Sequence, residues 1–503
     1  MPSVLSRARS SGSDPYFTDI TESVPTSTNV TISWSVSPGA QGQIEYGTTA
    51  SYGQVSTLET NYLSYHSQAL QTLTPDTLYY YRIKAITASG VIGYSDQGTF
   101  TTDAAGSLLF PTTQSQPLKG PMPATWTVPA SVGASVTITD YGENVRITRI
   151  SDVTTYLMTY PVLQSWNADD SYLAIIASNA GGWRLYDGAH PHAFVRTFAF
   201  SPGVNNAIWS GVDPDHMWGL YQGANWIRRY VVSTNTDSLI RTFSNYTIVY
   251  AGDSSTMGDN GYIFLKGKRV TTDAWWIICY DTVNDVIVSE VAYPHPIDGS
   301  NYEPKNVHTS RSGTYGIVTY GAGHGYTATY YAMYQVDATC ATVRNLFGTG
   351  SSDAVPHMSP GTVTANNQDC IVYFPGYMRN LVTNETTDLF PYATNKNDLN
   401  VQHINTGTPG WGTFSQGQNN GRTPSSVWGF DHIYMVRLDG SGQVRPWGYA
   451  RGVVNEPYYS ATDQDVYASA SRGGNKMAFK SRNLINTSNS TRDGHLYVAE
   501  RIT

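Results

Sequence analysis

From about Tyr16 to Thr102 apolar and polar residues alternate in short segments: NVTISWSV (29–36), GQIEYG (42–47), LYYYRIKAIT (78–87) and QGTFTT (97–102). Ser, Pro, Gly and Thr turns separate them. Alternation with period two, bounded by turn residues, predicts strands, here seven short ones folded as a β-sandwich over residues 16–103. Residues 1–15 read as a flexible arm. Residues 104–126 carry Pro and Gly with no period and read as an interdomain linker.

From Thr127 onward one unit recurs: a polar or glycine turn, an alternating strand, a gap, then another strand ending in a turn. SWNADDSYLAIIASNAGGWRLYDG fills 165–188; HTSRSGTYGIVTY starts at His308; ASASRGGNKMAFKS starts at Ala468, with GHLYVAER following. These copies align on Asp170, Gly313 and Gly474 as the turn into each unit's second strand, and weaker copies start near Ile208, Gly252, Pro356 and Gln402. A spacing of about 40–60 residues is that of a β-propeller blade, so residues 127–503 predict seven blades, with six or eight as alternatives. The segment ENVRITRIS (143–151) has no blade of its own and is positioned to supply a closing strand to the last one, near LYVAER. Closure of that kind removes exposed sheet edges.

Composition agrees with an all-β chain. Only 14% of the 503 residues are charged, while Gly numbers 46, Tyr 37, Phe 14 and Trp 12. Long solvent-facing helices need more charge than this, and Tyr, Thr and Val favour strands. The net charge of −8 shows no basic stripe, which argues against a nucleic-acid surface. No apolar run approaches a membrane span, and the N-terminal residues lack the apolar core of a signal peptide. Cys279, Cys340 and Cys370 have no zinc-ligand spacing; one Cys340–Cys370 disulfide or three buried thiols are the two readings. There is no GxSxG, HExxH, Walker or EF-hand motif.

The run Leu73-Thr-Pro75-Asp-Thr77-Leu-Tyr79-Tyr-Tyr81-Arg82-Ile83 resembles the fibronectin type III signature. That resemblance implies a corner tyrosine, Tyr79, bonded through its hydroxyl to backbone a few residues upstream, and a core tryptophan, Trp34. Two further stretches carry a second resemblance: Glu143–Gly188, and the run from Gln402-His403 through Gly410-Trp411, HIYMVRLDG and Tyr458-Tyr459 to the C-terminus. They resemble the oligogalacturonate-lyase-like propellers, relatives of the TolB-type repeat. The resemblance implies a site on the propeller face with a catalytic histidine and a divalent metal, Mn or Ca, held by a Gln/His cluster, and cleavage of uronate chains by β-elimination. The family's Gln-x-x-His-x-His pattern is not reproduced, because position 405 is Asn.

Such an elimination needs a neutralised uronate carboxylate, a base for the C5 proton and an acid for the leaving oxygen. His308, His357 and His403 each lie near the first strand of consecutive units, where first strands line the channel; they are the candidates for base or metal, with Gln402 beside the last. Arg379 and Arg422 suit the carboxylate and Tyr377 the acid. Aromatic clusters at Trp218, Trp226, Trp275-Trp276, Trp411, Trp428, Trp447 and Tyr458-Tyr459 serve two purposes: blade packing and stacking on sugar rings. Together these features predict an extracellular or virion-associated carbohydrate-active protein, a polysaccharide lyase if an enzyme. The rival reading is a non-catalytic structural or adhesion subunit that binds cell-surface glycans or proteins, as a homo-oligomer or within a larger assembly.

Overall fold

The computed structural model describes residues 14–22, 25, 29–74, 77–102, 129, 131–139, 144–151, 164–177, 182–198, 206–252, 256–293, 301–320, 332–347, 358–364, 367–373, 376–390, 401–416, 432–449, 468–481 and 495–502, and among these described residues every regular element is a strand. The chain divides into two compact units, Met1–Ser107 and Leu108–Thr503.

In the first unit the hub is Val30–Gly47. Its first half pairs antiparallel with Tyr16–Glu22 and Leu63–Leu70, its second half with Gln54–Val55 and Leu78–Thr87. Ile92–Tyr94 and Gly98–Thr101 pair with Leu78–Thr87. The segments 29–36 and 42–47, read from the sequence as separate strands, are one continuous strand of 18 residues whose register shifts between Ser35 and Ala40. Gly39 permits the change of partner: a Cβ there would lie 3.3 Å from the Leu63 carbonyl oxygen. Alternate residues Val30, Ile32, Trp34 and Val36 meet Tyr79, Tyr81, Ile83 and Phe100 in one core. The Thr74 amide donates to the Tyr79 hydroxyl at 2.9 Å, the backbone bond expected of a corner tyrosine. Trp34 is fully buried and stacks on His66, ring centroids 4.8 Å apart.

The second unit is a seven-bladed β-propeller. Its sheets follow one another in chain order, each an antiparallel meander. Trp166, bridged to Leu173, and then Asn206–Trp209, Tyr246–Tyr250, Asn306–Thr309, Met358–Thr362, Val401–Asn405 and Ser469–Ala470 are the innermost strands of blades one to seven. The three aligned turn residues Asp170, Gly313 and Gly474 all adopt left-handed backbone, with φ of 58°, 76° and 70°. That shared conformation is what the repeat in the sequence encodes.

Closure follows the predicted route: Val145–Arg149 pairs with His495–Arg501 in the last blade, from Tyr497 opposite Arg149 to Arg501 opposite Val145. A further strand, Ser135–Ile138, adds to it and makes this the widest sheet of the ring. The seam is reinforced by Glu500, which accepts from Arg146 Nη2 at 2.7 Å and lies 3.4 Å from Nε2 of the buried His192 in the first blade.

Blade faces pack as apolar layers. Trp209 and Leu185 join the first two blades, Ile263 and Leu220 the second and third, Val307 and Phe264 the third and fourth. Met358 and Ile317, then Phe390 and Tyr434, continue the sequence, and Trp166 with Val498 joins the first blade to the seventh. Between the sixth and seventh blades the packing is cationic on aromatic: Arg501 lies 4.6 Å over the Trp447 ring, and Arg445, itself 4.6 Å over Trp411, is pushed down by burial to a pKa of about 9. Trp218, Trp275, Trp411 and Trp447 are therefore packing residues, buried in the ring. Trp428, Tyr458 and Tyr459 lie outside the described residues.

All three cysteines are free and buried, so the Cys340–Cys370 disulfide is replaced by the alternative of separate thiols. Cys340 sits between the third and fourth blades and Cys370 between the fifth and sixth, because strand alternation turns Cys370 away from the fourth blade.

Candidate functional site

In a four-stranded meander the connections alternate between two ends. First-to-second-strand turns of all blades therefore gather at one end of the channel, and the second-to-third and inter-blade connections at the other. The turn end is closely knit. A Cβ on Gly211 would strike the Gly258 backbone, and one on Gly258 the Gly313 backbone. Thr364 donates to the Gly410 carbonyl at 2.7 Å and Thr408 to the Ser471 carbonyl at 2.6 Å. The Asp170 carboxylate accepts the amides of Arg472 and Gly473, both at 2.7 Å, which brings the seventh turn back to the first. Across this end run two ion pairs, Arg311 Nε to Asp259 Oδ2 at 2.9 Å and Arg472 Nη1 to Asp259 Oδ1 at 2.8 Å. Burial alone would raise the Asp259 carboxyl; the charges of Arg311 and Arg472 outweigh it and hold the group below the usual carboxylate range.

At the opposite end, the turn 221–225 of the second blade carries a different arrangement. Asn225 Nδ2 donates to the carbonyls of Phe243, at 3.3 Å, and Tyr246, at 2.9 Å, and fixes the turn against the third blade. Tyr221, 37% exposed, lies nearly parallel to Trp226 with centroids 6.2 Å apart. Its ring passes over Gly223, where a Cβ would come within 3.0 Å of it. From the same turn Gln222 Nε2 donates to the Tyr250 hydroxyl at 3.2 Å, and Tyr250 donates in turn to Glu303. Beneath them the fully buried Lys266 gives its three N–H groups to Glu303 Oε1 at 2.8 Å, the Lys305 carbonyl at 2.9 Å and the Pro304 carbonyl. Its ammonium also lies 4.2 Å over the Tyr250 ring. The lysine thus locks the chain entering the fourth blade, while Tyr221 and Gln222 are exposed and Trp226 is half-buried.

The residues proposed from the sequence are spread differently. His308 is on the innermost strand of the fourth blade, as expected, but its neighbour Val307 packs toward the third blade, so strand alternation sends His308 to the opposite face. There it is buried, its Nδ1 has no hydrogen-bond partner, and burial lowers its pKa to about 3. It is a neutral imidazole at any ordinary pH and a weak proton acceptor. Tyr377 and Arg379 share the third strand of the fifth blade, Tyr377–Asn380, two strand spacings (about 10 Å) out from the inner strand. Tyr377 packs beside Tyr373, centroids 5.9 Å apart, and Arg379 Nε donates to Thr386 Oγ1 at 3.2 Å. Tyr377 also packs against the layer between the fourth and fifth blades, which includes Ile317, the cross-strand partner of His308. Gln402 and His403 lie on the inner strand Val401–Asn405 of the sixth blade, with their side chains outside the described residues, as are His357 and Arg422.

Among the described residues no three His, Cys, Asp or Glu side chains gather as metal ligands. Of the proposed ligands only His308 has a described side chain, and by itself this buried imidazole does not fit Mn or Ca, which take mainly oxygen donors.

No family model and no curated protein matches the chain. Among solved structures it is similar to an oligogalacturonate lyase in complex with manganese, at 12% identity and a TM-score of 0.48, over 73% of this chain and 96% of that one. It is also similar to the oligogalacturonate lyase of Vibrio parahaemolyticus, at 11% identity and a TM-score of 0.45, over 74% of this chain and 98% of that one. At such identities the likeness concerns the propeller fold alone.

Proposed function

We propose that the protein grips a hydroxyl-rich polysaccharide at the end of the propeller that carries the turn 221–225, and acts outside the cell or on a virion surface as an adhesion or structural subunit. The observation that supports this reading is the exposed Tyr221 ring layered on Trp226 beside the hydrogen-bonded chain Gln222–Tyr250–Glu303. Sugar rings offer a C–H face to aromatic surfaces and hydroxyls to amide and carboxylate groups at their rim. The cations described there are engaged: Lys266 by Glu303 and two carbonyls, Arg228 by Asp237 at 2.9 Å. That favours neutral sugar units over uronates. The N-terminal unit, with its Tyr79 corner and buried Trp34, is read as a fibronectin type III-like module serving as spacer or docking element.

β-Elimination of uronate chains is the catalytic form of this proposal, and one experiment separates the two. The full chain is run through gels containing neutral or uronate polysaccharides. In parallel, each polysaccharide is incubated with the protein, with and without added Mn or Ca, while ultraviolet absorbance of the unsaturated product is followed. Retardation by a neutral polysaccharide with no absorbance rise supports the binding reading. A rise with any uronate chain replaces it with the lyase, and passage through every gel unretarded sinks both.

A further inference from the structure

One position of the repeat is occupied by charges that meet across the channel. Gly261, Gly313 and Gly474 each have positive φ in the first-to-second-strand turn, and two residues before them stand Asp259, Arg311 and Arg472. The first two belong to adjacent blades, the third and fourth; Arg472 comes from the seventh, on the far side of the ring. Both oxygens of the Asp259 carboxylate are taken, one by each guanidinium. Arg311 Nη1 also donates to the Gly407 carbonyl of the sixth blade at 2.6 Å, and the backbone at Arg472 is held by Asp170 of the first. Five blades are joined through three side chains and one carboxylate staple.

We propose that Asp259, Arg311 and Arg472 form a clasp that closes the ring across its channel, a second closure distinct from the strand exchange at the rim. The arginine side chains are only 13% and 17% exposed, while that of Asp259 is 42% exposed, so solvent reaches the carboxylate and screens the two pairs in part. Each guanidinium opposes the charge of the other, as the lowered pKa of Arg472 reflects, after burial, in the effect of Arg311. The shared carboxylate is what allows both to occupy the same end of the channel. Removing it leaves two like charges facing each other; removing Arg472 as well relieves them.

Hydrogen exchange on the full chain tests this with Asp259→Asn, Arg472→Met and the double variant. The amides of Asp259, bonded to the Arg311 carbonyl at 2.7 Å, and Gly473 report on the clasp; those of Tyr497–Arg501 report on the rim. Asp259→Asn is expected to speed exchange at the turns about tenfold while the rim changes little, the local opening expected when a network ion pair is lost. The double variant is expected to exchange more slowly than the product of the single effects, because the repulsion is gone. Turn amides that exchange as in wild type, or effects that multiply, overturn the clasp. Arg472→Met alone, which removes one of the two cations held by Asp259, gives the same readout should Asp259→Asn not fold: unchanged turn exchange in that variant also overturns it.

Discussion

The ring's outer seam places a carboxylate where acid should undo it. Glu500 pairs with Arg146 of the closing strand and faces His192 of the first blade. Burial alone would raise its pKa, but His192 and Arg146 bring it from 4.5 down to about 2. A shift of this size corresponds to about 3 kcal/mol of stability at neutral pH. Since the folded pKa lies below the unfolded one, that stabilisation is complete above about pH 4.5 and is lost as pH falls toward 2. The perturbation is Glu500→Gln, which removes the titration and keeps the shape. The assay is denaturant unfolding at a series of pH values from 6 to about 2, followed by tryptophan fluorescence; Trp34 excepted, every tryptophan is in the second unit. Asp259 and the other carboxylates titrate in both proteins, so the difference between the curves isolates Glu500. Wild type is expected to lose about 3 kcal/mol more than the variant over this window. Parallel curves would refute the reasoning, since they would mean that Glu500 is no better placed in the fold than in the unfolded chain.

Three further outcomes follow from single contacts. Tyr79→Phe removes the acceptor of the Thr74 amide and should destabilise the N-terminal unit by about 1 kcal/mol, read from the Trp34-linked unfolding transition. The His308 ring should show no titration by NMR between pH 5 and 8, because burial holds its pKa near 3; a midpoint near neutrality would contradict its placement. Burial raises the thiols of Cys279, to about 12, and Cys340, to about 11, so the folded protein should react with a thiol reagent only after denaturation, and reductant should leave its melting temperature unchanged.

What was legible in the sequence is what repeats locally. Asp170, Gly313 and Gly474 align because each turn needs a left-handed residue, and the inner strands begin within about two residues of the predicted copies except in the third blade, whose strand Tyr246–Tyr250 ends before the copy placed near Gly252. Closure by 143–151 was legible because an alternating strand with no blade needs a partner. The strand Ser135–Ile138 was not, since four residues carry too little pattern. The clasp leaves a trace in the sequence: Ser-Arg-Ser-Gly at 310–313 and Ser-Arg-Gly-Gly at 471–474 place an arginine at the same turn position twice. Its meaning depends on Asp259, whose bond to Arg472 spans 213 residues, and no local pattern reports such a distance. Candidate catalytic residues fared differently for a geometric reason. The inner strands of His308 and His403 were predictable, whereas the face of the strand on which His308 falls is set by which blade Val307 packs against.

The glycan-binding claim is tested most directly by titrating the full chain and Tyr221→Ala with a neutral oligosaccharide while recording tryptophan fluorescence, because Trp226 lies beside the Tyr221 ring. A saturating signal in wild type, weakened about five- to tenfold in the variant, is the expected result, in line with the worth of one aromatic contact. Equal affinity in the two proteins, or no response to any sugar, would contradict the assignment of this end of the propeller as the binding face.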